Sequence, residues 1–380
     1  MTTTEQQTDQ EQATEKTPFE VLLEAGKDRG YKLDWLRKGE NFGERLKADL
    51  SKGGLLLQDI EQGREDDIPD HSENYTGRPR GAREREGAPR VGDYKIRNKG
   101  DVWLRNAADL YEEAIQRQWS SATDIPWHTL KPLPDDIEIA ECELATFLTD
   151  VEFVAGDVPG KWIAETSPDF YEPRMFLISQ IMDEARHLDV FRKRALANGG
   201  GMMQQSRAFG GGFAGAIDSA RDFTEMSARL HISGEGLVLT LFRMGERMSY
   251  NDAEKHIYRL AASDESRHVA FGVLHLKYVS EVQPERKEEI HNYLDEVEQG
   301  LVFSTGSSQN PLARGGGIGG NSLAILLGGG IDKIEEGEQI AMAMRQRQIK
   351  EYIQRVRVAG FGERFDNGRA MPVLQQYVAA

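Results

Sequence analysis

One arrangement occurs twice in this chain: a lone glutamate, about thirty residues, then Glu-x-x-His. Glu152 is followed by Glu184 and His187 within DEARH (183–187), and Glu235 by Glu265 and His268 within DESRH (264–268). Glu and His at i and i+3 share one side of a helix, roughly 5–6 Å apart at Cβ. An interval of thirty residues fits two antiparallel helices and a turn, each limb climbing roughly 22 Å at 1.5 Å per residue. Two such hairpins face to face bring four carboxylates and two imidazoles to one level. That is the ligand set with which a four-helix bundle binds a pair of iron or manganese ions.

The donor types narrow the metal. Carboxylates with few imidazoles suit hard, redox-active iron or manganese better than copper. A single cysteine, Cys142, argues against a Cys-bound zinc or iron–sulfur site. Two iron ions are expected, with a manganese–iron pair as the alternative. The flanking residues repeat as well: Asp183 and Asp264 precede the glutamates, and Arg186 and Arg267 precede the histidines. A metal-bound imidazole usually donates its second N–H to a carboxylate. Each Asp is therefore expected to support the histidine of the opposite hairpin, with the arginines neutralising the acids. His231 lies four residues before Glu235, and is read as a supporting or core group ahead of a seventh ligand or proton relay. Glu141 is the reserve ligand.

With 47 basic and 63 acidic residues the chain carries a formal charge of −16. That disfavours nucleic acid and anionic membranes, which need a basic footprint. One cysteine allows no intramolecular disulfide. The first residues show no apolar signal core, and no apolar run nears the ~18 residues of a membrane span. A cytoplasmic protein is expected.

Along the chain, 1–17 reads as a disordered polar tail and 18–98 as an N-terminal arm. The arm holds short amphipathic helices anchored by Leu22, Leu23, Leu33, Trp35 and Leu36, then a long charged loop over 58–98. A helix over 103–119 opens a helical bundle over 99–290. Core helices are predicted over about 134–156, 170–198, 216–247 and 252–282, from apolar stripes at helical spacing. Gly234 and Gly236 flank Glu235, which points to a helix bulge or the close approach of another group. Residues 291–380 contain a Gly-rich segment, the apolar stretch SLAILL and a helix over about 332–358. The fold class is all-α: a four-helix bundle with extra helices and long Gly-rich and polar loops.

On Glu152, DEARH, Glu235 and DESRH the chain resembles the ferritin-like di-iron carboxylate superfamily, over residues 130–285. The likeness is to its oxygenase and ribonucleotide-reductase-small-subunit branch. The resemblance implies that the six glutamates and histidines bind two irons. It also implies that the centre activates O₂ to hydroxylate, desaturate or N-oxygenate a small organic substrate. Two external electrons per turnover are then needed. No flavin, nicotinamide or iron–sulfur motif is visible, so a separate reductase or ferredoxin is implied. Phe191 stands where the reductase small subunits carry a radical tyrosine. Leu239, with Thr240 beside it, stands where many hydroxylases carry a threonine. Ala261 stands where the arylamine N-oxygenases add a histidine. A monooxygenase is the leading reading, with Phe147, Leu148, Gln180, Phe191, Val238 and Phe271 as pocket candidates. A reductase-like ligand-binding oxidase, an N-oxygenase or a ferroxidase are the alternatives. A monomer or homodimer is expected, against the many-chain cage of an iron-storage protein.

Overall fold

The computed structural model describes residues 16–37, 43, 46–60, 65–204, 214–304 and 320–378. Residues 1–15 of the tail expected over 1–17, together with 205–213 and 305–319 in the Gly-rich stretches, lie outside the described residues, while Thr17 caps a helix. The chain divides into two compact units, Met1–Leu55 and Leu56–Ala380. Residues 56–98 and 291–380 thus fall in the same unit as the bundle.

In the first unit, α1 (Pro18–Asp28) begins with a capping box: the Thr17 hydroxyl accepts from the Glu20 amide, and Glu20 accepts from the Thr17 amide. A 3₁₀ turn at Asp34–Leu36 follows. Leu22 and Trp35, expected as anchors, are 54 % and 71 % exposed.

The second unit is helical, with isolated bridges but no strand among the described residues. After α2 (Ala107–Gln116) come α3 (Asp135–Glu165) and α4 (Tyr171–Leu196), then the short α5 (Ala214–Asp218). Next are α6 (Phe223–Ser227), a π-helical segment (Ala228–Gly234) and α7 (Glu235–Met248) in unbroken succession, then α8 (Asp252–Val282). The hairpin α3–α4 and the hairpin α7–α8 form the bundle. Two apolar cores fill it. One joins Leu144, Leu148, Phe191, Val238, Leu241, Phe242 and Tyr258. The other joins Ala155, Val158, Phe176, Phe223, Met226, Leu230 and Phe271.

Three boundaries differ from the sequence reading. The helix expected to end near 156 continues through Pro159 to Glu165. An internal proline costs roughly 3 kcal/mol, but Val158, Trp162 and Ile163 pack on the second core. The single helix expected over 216–247 is instead two pieces. A new start at α6 is capped by Asp222, whose side chain accepts from the Glu225 amide. The helix expected from 103 begins only at Ala107, after Asn106 in the left-handed region (φ 65°).

Residues 65–98 make no helix beyond 3₁₀ turns, and polar bonds fasten them. Ser72 and Asn74 donate to Asp169 at 2.6 and 3.0 Å. Arg80 reaches the buried carboxylate of Glu172 from a site where its own side chain is 3 % exposed. The C-terminal part supplies α9 (Lys287–Ser304), α10 (Gly320–Gly328) and α11 (Ile334–Val356), then short turns of helix to Gln375. SLAILL lies in α10, packed on α3 and α11. Gly328 and Gly337 let α10 and α11 touch: a Cβ on Gly337 would sit 2.8 Å from the Gly328 nitrogen. α11 lies along α7.

Candidate metal centre

The six glutamates and histidines meet at mid-bundle, each no more than 2 % exposed. α3 carries Glu152, α4 carries Glu184 and His187, α7 begins with Glu235, and α8 carries Glu265 and His268. They form two overlapping groups able to hold a metal ion. One is Glu152, Glu184, His187 and Glu265; the other is Glu184, Glu235, Glu265 and His268. Within each, the ligand atoms lie within 4.8 Å of one another. Glu184 and Glu265 belong to both, as bridging carboxylates do.

The histidines present Nδ1 to the carboxylates. His187 Nδ1 lies 3.2 Å from Glu184 and 3.3 Å from Glu265, and His268 Nδ1 lies 3.0 Å from Glu184 and 3.3 Å from Glu265. Nε2 of each points away, to the aspartate of the opposite hairpin: His187 to Asp264 at 3.1 Å, His268 to Asp183 at 3.4 Å. A carboxylate only accepts, so each Nε2 carries a proton held by its aspartate, which leaves Nδ1 as the nitrogen that would take a cation on giving up its own proton.

Arg186 donates to Asp183 and Asp264 at 2.5 and 2.8 Å, and Arg267 donates to the same two acids. This closed ring ties the hairpins together. Two further residues, which sequence periodicity did not reveal, complete it from the loop after α2. Gln118 accepts from Arg186 at 2.6 Å and donates to Asp183 at 3.2 Å. The half-buried Trp119 donates its indole N–H to Asp264 at 2.7 Å and stacks with His187, ring centroids 6.3 Å apart.

His231 is not within either group. Its Nε2 donates to Gln180 Oε1 at 3.1 Å, and the Gln180 amide donates to Glu235 at 3.2 Å. Burial lowers its pKa to about 3, so it is neutral. Of the pocket candidates, Phe147, Leu148, Phe191 and Val238 belong to the first core and Phe271 to the second. Thr240 faces α11, donating to Glu351 at 2.6 Å. The reserve ligand Glu141 is also buried but stands apart from both groups. Burial and the nearby Glu254 raise its pKa well above the carboxylate range. Beside it, Glu138 accepts from Arg194 at 2.7 Å.

Does this cluster fit two cations? Both oxygens of Glu152 are buried without a hydrogen-bond donor, and Oε1 of Glu184 and of Glu265 meets only a histidine Nδ1, at 3.0 and 3.3 Å. An unsatisfied buried polar atom costs roughly 1–3 kcal/mol, more when charged. These oxygens face the same space as the two Nδ1 atoms, which is what a metal requires. Without cations, protons balance the charge. Burial and Glu184 push Glu152 well above its usual range; burial and Glu265 do the same to Glu235. Burial alone would lower both histidines, but the surrounding carboxylates outweigh it and raise them well above the usual value.

No family model matches the chain, and its sequence matches no curated protein. Its fold matches solved structures of R2-like ligand-binding oxidases. One is a tyrosine-to-phenylalanine variant with an aerobically reconstituted Mn/Fe cofactor. It is 18 % identical, with a TM-score of 0.51, over 67 % of this chain and 94 % of that one. Another, with an aerobically reconstituted metal cofactor after photoconversion, is 17 % identical over the same shares with the same score. The chain has the ferritin-like, all-helical fold of these oxidases.

Proposed function

We propose that this chain is a di-metal oxidase, binding an iron pair or a manganese–iron pair through Glu152, Glu184, His187, Glu235, Glu265 and His268. The observation that carries the reading is the pair of overlapping ligand groups with orphaned, inward-facing carboxylate oxygens. The pair, when bound, supplies electrons to O₂ and an oxidant for an organic molecule. The fold likeness favours an oxidase of the ligand-binding type over a hydroxylase fed by a dedicated reductase.

The chain's own residues set the conditions. Asp183 and Asp264 hold both histidines in one tautomer, which raises their basicity. The Arg186–Arg267 ring offsets the acids, and the apolar cores on either side exclude water. Gln180 fixes one oxygen of Glu235. Trp119 is half-buried and bonded to Asp264, which is bonded to His187. It therefore offers electrons from a separate donor a hydrogen-bonded route inward. The protein's partners under this reading are O₂, a small organic molecule and an electron donor. No helix among the described residues is long and apolar enough to cross a membrane.

The test is anaerobic loading of metal-free protein with Fe(II), with or without Mn(II), followed by O₂ while recording oxygen uptake and the optical spectrum. Uptake that needs the metal and is lost in His268→Ala supports the reading. Metal binding with no O₂ consumption contradicts it.

A further inference from the structure

Glu235 differs from the other ligands in what stands behind it. It is the first residue after seven π-helical residues, and its amide donates to the carbonyl of Leu230, five residues back. Removing the extra residue would turn Glu235 by about 100° around the helix, out of the metal pocket. A π segment is rare and needs support from its surroundings.

That support comes from α11, a helix outside the four-helix bundle. The Arg355 Nε donates to the Ile232 carbonyl, inside the π segment, at 3.1 Å. Gln348 donates to the Leu237 carbonyl at 2.9 Å, one turn on. Gly236 makes the approach possible: a Cβ there would lie 2.7 Å from Arg355 Nε. From the other side Gly272 admits His231, since a Cβ on Gly272 would collide with the histidine's own. His231 in turn holds Gln180, which holds Glu235. Arg355 is 9 % exposed, and its Nη2 has no hydrogen-bond partner. A buried cation whose hydrogen bond goes to a backbone carbonyl is an expensive way merely to fill a core.

We propose that Arg355 is a positioning residue that holds the π-helical register of Ala228–Gly234 and so keeps Glu235 in the metal pocket it forms with Glu184, Glu265 and His268. The inference rests on the di-metal reading and concerns one of its two pockets. The Glu152, Glu184, His187 and Glu265 pocket has no ligand on α7 and does not depend on Arg355.

The experiment is anaerobic titration of the full chain with Mn(II) against a chromogenic chelator, for wild type, Arg355→Met, Gly236→Ala and Glu235→Ala. Gly236→Ala keeps the charge and displaces the guanidinium, so it stands in if Arg355→Met does not fold. The expected result is that both variants weaken one ion roughly tenfold or more, as loss of an outer support does. The other ion should be left within about threefold, the signature of Glu235→Ala. Unchanged affinities, or an equal fall for both ions alongside a lower melting temperature, would overturn the inference and leave Arg355 a packing residue. If wild type itself binds fewer than two ions, the di-metal reading fails first.

Discussion

Metal loading should expel protons, and the number follows from the site. Without cations, His187 and His268 are raised well above the usual histidine value, and Glu152 and Glu235 well above the usual carboxylate value. Glu184 and Glu265 are lowered: burial would raise them, but the histidine contacts of Glu184, and for Glu265 the hydrogen bond from Glu235 followed by those from the histidines, outweigh it. At neutral pH the metal-free cluster therefore holds a proton on each histidine Nδ1, and Glu152 and Glu235 keep protons above the usual carboxylate range. Two divalent ions must displace every proton on these four groups, so loading releases about two from the histidines at neutral pH and about four where both glutamates are also protonated. Each released proton makes the apparent affinity rise about tenfold per pH unit, about 1.4 kcal/mol. The product of the two binding constants should then rise roughly 10⁴-fold per pH unit below the raised pKa values, and flatten above them. The sign for stability follows. All four groups bind protons more tightly folded than unfolded, so the metal-free fold loses stability as pH rises through those raised values, and the loaded form does not. Calorimetric titration in two buffers of different ionisation enthalpy counts the protons. Release of fewer than about two protons per chain at neutral pH would refute the reasoning.

Other outcomes follow from single contacts. Asp264→Asn removes the charge and one of the two acceptor oxygens that serve His187, Trp119, Arg186 and Arg267, and should cost roughly 10–100-fold in metal affinity, read by chelator competition. Arg80→Ala leaves Glu172 buried without its ion pair and should destabilise by about 3–5 kcal/mol in denaturant unfolding. Gly245→Ala places a Cβ 2.6 Å from the Tyr258 ring and should cost about 1–3 kcal/mol, seen as a lower melting temperature. His231 is already neutral, so a pH–activity profile should show no limb that disappears in His231→Gln.

The site was legible because its chemistry is written locally. An i, i+3 Glu–His pair survives any error of a few residues in helix ends, and its duplication fixes two hairpins at once. The exchange of Asp183 and Asp264 between hairpins followed from what an imidazole bound to a metal does with its second nitrogen. The glycines around Glu235 signalled a helix bulge or the close approach of another group, and both are present there. What stayed hidden depends on contacts distant in sequence. Gln118 and Trp119 sit in an aperiodic loop and touch residues 65 and 145 positions away. Arg355 is one basic residue among several late in its helix. The run of α3 through Pro159 also stayed hidden, because the proline's local cost is outweighed by packing that only the fold reveals. The arm over 65–98 has few apolar residues, yet buried ion pairs and side-chain hydrogen bonds fasten it, and these have no periodicity. Glu141 misled because a carboxylate near an apolar stripe can bury itself as a neutral group as well as bind a metal.

The most direct test is X-ray diffraction from crystals loaded with Fe(II) and Mn(II), with anomalous data at both absorption edges. The account predicts two ions, bridged by Glu184 and Glu265, one bound also by Glu152 and His187 and the other by Glu235 and His268. A single ion, or ions held elsewhere with these six side chains unligated, would contradict it.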